Sequence, residues 1–243
     1  VDESGIDSIL VGDSLGNVIL GLGDTVSVTM EDMIHHGAAV ARGAKNALVV
    51  VDMPFMSYQS SVYDAVVNAG RLMKEARANA VKLEGGVEVA DRIRAIVDCQ
   101  IPVCAHIGLT PQGINALGGF KVQGKTADSA RKLLEDAHAV EEAGAFAVVL
   151  EAIPAELAAR VSAELTIPTI GIGAGAGCDG QVLVNQDMLG MFHDFTPKFV
   201  RRFAEVGDVM LDAYRAYDAA VKDGTFPAAE HTYAAPAGVL ETL

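Results

Sequence analysis

ALVVVD, residues 47–52, is a run of five apolar residues that stops at a carboxylate. Four other stretches have the same form: SILVGDS (8–14), AVKLE (80–84), IPVCAH (101–106) and AFAVVLE (145–151). Each closes on a residue able to do chemistry, namely Asp13 with Ser14, Asp52, Glu84, His106 and Glu151. Runs this apolar read as strands buried on both faces, the mark of a parallel sheet. A helix-like segment follows each one within a loop's length. Charged groups at the C-terminal ends of successive parallel strands converge on one mouth, where α/β barrels keep their active sites.

The same rhythm extends along the chain. Strands are expected at 8–12, 47–51, 80–84, 102–106, 146–151 and 168–172, with a weaker one near 182–190. Helices are expected from Thr29, as N-cap, to about Gly43, then over roughly 60–77, 88–98 and 126–143, from near Pro154, and from about Pro197 to Lys222. The fold class is therefore α/β, a (β/α)8 TIM barrel in a single domain over 1–243, with 224–243 a loosely ordered tail. One strand is lacking from the eight. DESGIDSIL reads as the end of a helix feeding a strand, so the first strand and most of the first helix are expected upstream of Val1.

Composition narrows the function classes. Of the 243 residues 51% are hydrophobic and 5% aromatic, so the core is built from Ala, Val, Ile and Leu and suits tight helix-on-sheet packing. The net charge of −14 argues against nucleic acid or an anionic membrane as partner, because both demand basic surface. No apolar run approaches the ~18 residues of a membrane span. VDESGIDSIL has neither a basic nor an apolar leader region, so no signal peptide is expected. Three cysteines, Cys99, Cys104 and Cys178, form no CxxC pair and predict neither a disulfide framework nor a zinc site. A reducing, cytoplasmic compartment follows.

Asp13, Asp52 and Glu84 end three consecutive strands, and neighbouring strands lie about 4.8 Å apart. Three carboxylates at one rim repel unless something positive sits among them. A hard divalent cation such as Mg2+ is the economical answer; a helix N-cap explains any one of them alone. Lys82 shares a strand face with Glu84. It could counter the carboxylates, hold an anionic substrate or form a Schiff base. Glu151 stands apart in sequence and could act as a general base. His106 could donate to a substrate oxygen or cap its loop. GIGAGAG (171–177) could cradle an anion or simply turn tightly. The long loop 107–125, with Gly118 and Gly119, has the length of a lid.

Taken together, LVGDSLGNVILG, VDMPFMSY, VKLEGG, PVCAHIGLTPQ, GGFKVQGK, LEAIP, IPTIGIGAG and DGQVLV closely resemble the ketopantoate (3-methyl-2-oxobutanoate) hydroxymethyltransferase family. The pieces run colinearly from residue 9 to about 185, and FPAAEH continues the pattern. The resemblance implies a (β/α)8 barrel of the phosphoenolpyruvate mutase and isocitrate lyase group. It implies an Mg2+-dependent enzyme of pantothenate synthesis that takes its one-carbon unit from 5,10-methylenetetrahydrofolate, and a homodecamer. It places Asp13, Asp52 and Glu84 around the metal. It places Ser14 and Lys82 on the keto-acid and Glu151 as the base; Asp13, Asp52 and His106 are expected beside the keto-acid as well. Two other readings remain at this point: a related lyase, mutase or lysine-dependent aldolase, and a non-enzymatic scaffold.

Overall fold

The structure is a computed structural model, and residues 1–193 and 195–242 are described below. The chain divides into two compact units, Val1–Leu183 and Val184–Leu243.

In the first unit the strands are β1 (Ser8–Val11), β2 (Leu48–Asp52), β3 (Ala80–Glu84), β4 (Val103–Gly108), β5 (Ala147–Glu151), β6 (Thr169–Ile172) and β7 (Gly180–Gln181). They form one seven-stranded sheet in the order β1 to β7. Each neighbouring pair is parallel. Sequential parallel neighbours require a crossover on each step. The principal crossovers carry α2 (Met30–Gly43), α3 (Val62–Arg71), α4 (Ala90–Asp98), α6 (Ala127–Glu142) and α7 (Ala155–Glu164). Two one-turn helices, α1 (Leu15–Val18) and α5 (Ile114–Leu117), lie in segments expected to be loop.

Strand alternation divides the core in two. Val49, Val51, Val81, Leu83, Val103, Ala105, Ile107, Val148 and Leu150 face the helices, packing with Met33, Ala69, Ile93, Ile96, Leu133, Val140 and Val161. The alternate positions Val50, Ala80, Cys104, Ala147, Val149 and Ile172 make a second, smaller cluster, with Leu10, Ile170 and Val182 against it. Helices cover one face, and a small cluster of the sheet's own side chains fills the other, so the sheet curls. Each fully buried Val, Leu or Ile adds about 1.5–3 kcal/mol relative to exposure. Lys82, Glu84, His106, Asp52 and Glu151 fall on the strand face of the smaller cluster, at its C-terminal end.

Within this unit the helix starts match the sequence closely. Thr29 caps α2 in a full capping box, its hydroxyl accepting from the Asp32 N–H at 3.1 Å while Asp32 accepts from the Thr29 N–H at 2.9 Å. Pro154 is the N-cap of α7. Beyond α3 the helix widens into a π turn, Leu72–Ala76, which ends at Arg77 with φ 58°.

The second unit holds α8 (Asn185–Met188) and α9 (Val206–Asp223). The strand expected near 182–190 is not there. β7 stops after pairing with Ile170 and Gly171, and Val184 caps a helical turn instead. The last helix begins nine residues later than Pro197. Arg202 ties down the preceding segment, donating to the Phe192 carbonyl oxygen and the Thr196 hydroxyl, both at 2.8 Å. After α9 the Phe226 ring lies against Tyr217 and His231, with centroids 5.7 and 5.1 Å away.

Candidate active site

Register brings the strand-end residues together. In the parallel pairings Asp52 stands opposite Lys82, Glu84 opposite His106, and Gly108 opposite Glu151. Asp13 joins from the turn after β1, where its backbone N–H donates to Asp52 Oδ2 at 3.0 Å. Gly108 permits the closest step. It has φ 96°, and a Cβ there would lie 2.4 Å from the Glu151 carbonyl oxygen.

The side chains then form a continuous chain. Lys82 Nζ lies 2.8 Å from Asp52 Oδ1 and 3.1 Å from His106 Nδ1. His106 Nε2 lies 3.1 Å from Glu151 Oε2, close in distance but not well aligned. Glu84 Oε1 is 3.6 Å from His106 Nδ1. An ammonium has no lone pair, so Nδ1 must accept from Lys82 and the ring proton must sit on Nε2, facing Glu151. Burial, with Lys82 beside it, holds the His106 pKa below its ordinary value. The imidazole is therefore a neutral link between lysine and glutamate.

Burial also governs the acids. Asp13 is raised from its ordinary 3.8 to about 7, first by burial and then by the Asp52 charge. Glu84 is raised well above its usual range by burial, with Lys82 opposing. Burial disfavours the Lys82 charge, but Asp52, Glu84 and Asp13 outweigh it and hold the ammonium above the usual lysine range. Glu151 differs in access: its side chain is 16% exposed, against 4% for Asp52, Lys82, Glu84 and His106. A group that takes a proton from a ligand needs that opening.

Among the described residues no three Asp, Glu, His or Cys side chains enclose a metal unaided. What is present is a row of hard carboxylate oxygens with Asp52 Oδ1 buried and without a well-directed hydrogen bond. Mg2+ takes one or two protein carboxylates and fills its remaining positions with water and substrate oxygens, so this donor set fits it.

Asp13, Ser14, Asp52, Lys82, Glu84, His106 and Glu151 all lie at this rim. Ser14 opens α1, half-buried, and a Cβ on Gly12 would lie 3.2 Å from its hydroxyl and 3.5 Å from Asp52 Oδ2. Two residues escaped notice. Tyr58 is fully buried and its hydroxyl accepts from the Glu84 N–H at 3.0 Å. Gln112 is buried and its Nε2 donates to Asp13 Oδ2 at 2.8 Å. Their only signal was a place inside the MPFMSY and GLTPQ segments. The glycines of 171–177 have a packing role: a Cβ at Gly175 would lie 2.5 Å from Ala155 Cβ, and one at Gly177 2.7 Å from Ala159 Cβ, both on α7. Cys104 is a buried, inert thiol pushed up to about 12 by burial.

Comparison with known proteins gives the family. The chain is 67% identical to 3-methyl-2-oxobutanoate hydroxymethyltransferase of Clostridium novyi and 66% identical to that of Enterococcus faecalis, in each case over all of this chain and 88% of the relative. Among solved structures, phosphonopyruvate hydrolase superposes with a TM-score of 0.59 at 12% identity, covering 98% of this chain and 83% of that one. Its complex with oxalate and Mg2+ gives 0.58 at 12% identity, covering 94% and 82%. At that identity the likeness is one of fold. The sequence model for ketopantoate hydroxymethyltransferase matches residues 1–229, and with relatives this similar the chain belongs to that family.

Proposed function

We propose that this chain transfers a hydroxymethyl group from 5,10-methylenetetrahydrofolate to 3-methyl-2-oxobutanoate. The product is 2-dehydropantoate (ketopantoate), an intermediate of pantothenate synthesis. The names of the 67% and 66% identical relatives support the acceptor and the group transferred. We also propose that the curled sheet is part of a single (β/α)8 barrel domain of the phosphoenolpyruvate mutase and isocitrate lyase group, acting in the cytoplasm as a homodecamer. No helix among the described residues is long and apolar enough to cross a membrane.

Asp13, Asp52 and Glu84 would hold Mg2+, which when bound polarises the keto-acid carbonyl and stabilises negative charge on its oxygen. Ser14, Lys82 and His106 line the keto-acid. Lys82 is a fixed positive charge beside the oxygen that becomes an oxyanion. Glu151 takes the proton from C3. The His106 Nε2–H steadies the glutamate for that step, and Lys82 fixes the His106 tautomer. The C3 carbanion equivalent then forms a C–C bond to the one-carbon unit as one of its two C–N bonds to the folate breaks; water displaces the second and supplies the hydroxyl oxygen, and the C3 proton and one proton of that water end on the two folate nitrogens as tetrahydrofolate leaves.

The observation that carries this reading is the row Asp52–Lys82–His106–Glu151, in which neighbouring polar atoms lie 2.8, 3.1 and 3.1 Å apart and which ends at the more accessible acid. It also weighs against a lysine-dependent aldolase. A Schiff-base lysine needs a free, neutral amine, whereas Lys82 is ion-paired and held charged.

The test is Glu151→Gln, followed by deuterium exchange at C3 of 3-methyl-2-oxobutanoate with Mg2+ present. The variant should bind keto-acid and metal yet lose exchange by roughly 10²–10⁴-fold, the range of a general base. Exchange at the normal rate would assign the base elsewhere. Loss of keto-acid binding would make Glu151 a binding residue.

A further inference from the structure

Gln112 is buried in a segment whose surroundings are open. Asn115 and Ala116 are exposed, and Phe120 is 74% exposed. Glutamine usually stays at the surface, and burying its amide is costly unless every donor and lone pair finds a partner. Here all of them do. Nε2 donates to Asp13 Oδ2 at 2.8 Å and to Met53 O at 2.9 Å. Oε1 accepts from the Tyr58 hydroxyl at 2.7 Å and from Gln59 Nε2 at 2.9 Å. The Gln112 backbone N–H donates to Glu84 Oε2 at 3.0 Å.

One residue of the β4–α6 loop thus reaches groups at the ends of β1, β2 and β3. It supplies a hydrogen bond to two of the three rim carboxylates. Glutamate at this position would lose both donors and set a like charge against Asp13. Asparagine is one methylene short of spanning the same partners.

We propose that Gln112 is the positioning residue that locks the β4–α6 loop onto the acidic rim. Seating of the loop and placement of the Asp13 and Glu84 carboxylates then become a single event. The consequence for metal rests on the reading of those acids given above; the lock itself does not. Because coupling is reciprocal, a change at the rim must also loosen the loop.

The experiment compares the wild-type chain with Gln112→Leu, similar in size but without donors, and with Asp13→Ala, which removes the acceptor. Amide hydrogen exchange is followed over 109–119 without metal, and Mg2+ affinity is measured by calorimetry. Gln112→Leu should speed exchange over 109–119 by roughly ten-fold, the scale of one or two lost buried hydrogen bonds, with α6 unchanged. Asp13→Ala should accelerate the same amides. Mg2+ affinity of Gln112→Leu should fall by a similar factor. Wild-type exchange over 109–119 in Gln112→Leu overturns the lock, and so does acceleration shared equally by α6, which would mean lost packing alone. If Gln112→Leu does not fold, Gln112→Asn, which keeps an amide, is scored by the same criteria. A wild-type chain that binds no Mg2+ and catalyses no C3 exchange would sink the function proposed above, while the metal-free comparison would still decide the lock.

Discussion

Asp13 is held in a place where an ionised carboxylate is disfavoured. Burial and the Asp52 charge raise it from 3.8 to about 7. In the unfolded chain it would return to an ordinary value near ~3.9. Below pH ~4 both states are protonated and the group contributes nothing. Between about 4 and 7 the unfolded chain ionises first, so folding stability falls as pH rises; above about 7 the loss is constant. The scale is roughly 1.4 kcal/mol per pKa unit, a few kcal/mol at most. Urea unfolding in chelator from pH 4 to 8 should show this decline in the wild type and a flatter profile in Asp13→Asn. Identical profiles would mean that Asp13 is not the group concerned. The rim acids were legible in the sequence because a carboxylate at the end of an apolar run breaks the pattern around it. Gln112 was not, because a glutamine after proline in a loop reads as solvated. Its burial depends on Asp13, 99 positions away, and Tyr58, 54 positions away.

At the scale of elements, boundaries fixed by local chemistry were the readable ones. Thr29 announces α2 because its hydroxyl and the Asp32 carboxylate satisfy each other's backbone N–H groups locally. Thr29→Ala should therefore cost about 1 kcal/mol, the usual worth of an N-cap, lowering the urea midpoint with little change in slope. A loss below a few tenths of a kcal/mol would mean that packing, not the cap, fixes the start of this helix. The errors lie where tertiary partners decide. VLV at 182–184 has strand composition, but the ladder ends when the Val182 N–H reaches Gly171 O at 3.0 Å. Residues 197–205 have helical composition, yet the Arg202 guanidinium is bonded to the backbone and side chains of 192–205 in a turn. The π turn at Leu72–Ala76 left no composition signal at all, since its residues are ordinary helix formers.

For the whole molecule, two sequence properties pull in opposite directions. The charge of −14 keeps copies apart. On α9, Val209, Met210, Leu211, Tyr214, Tyr217 and Val221 are all exposed, more apolar surface than a lone helix usually leaves open. The proposed homodecamer would have to cover such surface against that repulsion. Screening decides how strongly the charge acts: the Debye length is about 30 Å at 0.01 M salt and about 8 Å at 0.15 M. Burial of apolar area is not weakened by moderate salt, so added salt should favour association. Sedimentation velocity at about 0.15 M salt should find a decamer of the 25.3 kDa chain, and dilution into about 0.01 M should shift mass toward smaller species. Tyr214→Asp should make dissociation easier at either salt, because it places a further negative charge on the apolar face. A monomer at both salt concentrations would end the assembly proposal. Assembly that strengthens as salt is removed would point instead to ion pairs between copies, which screening weakens.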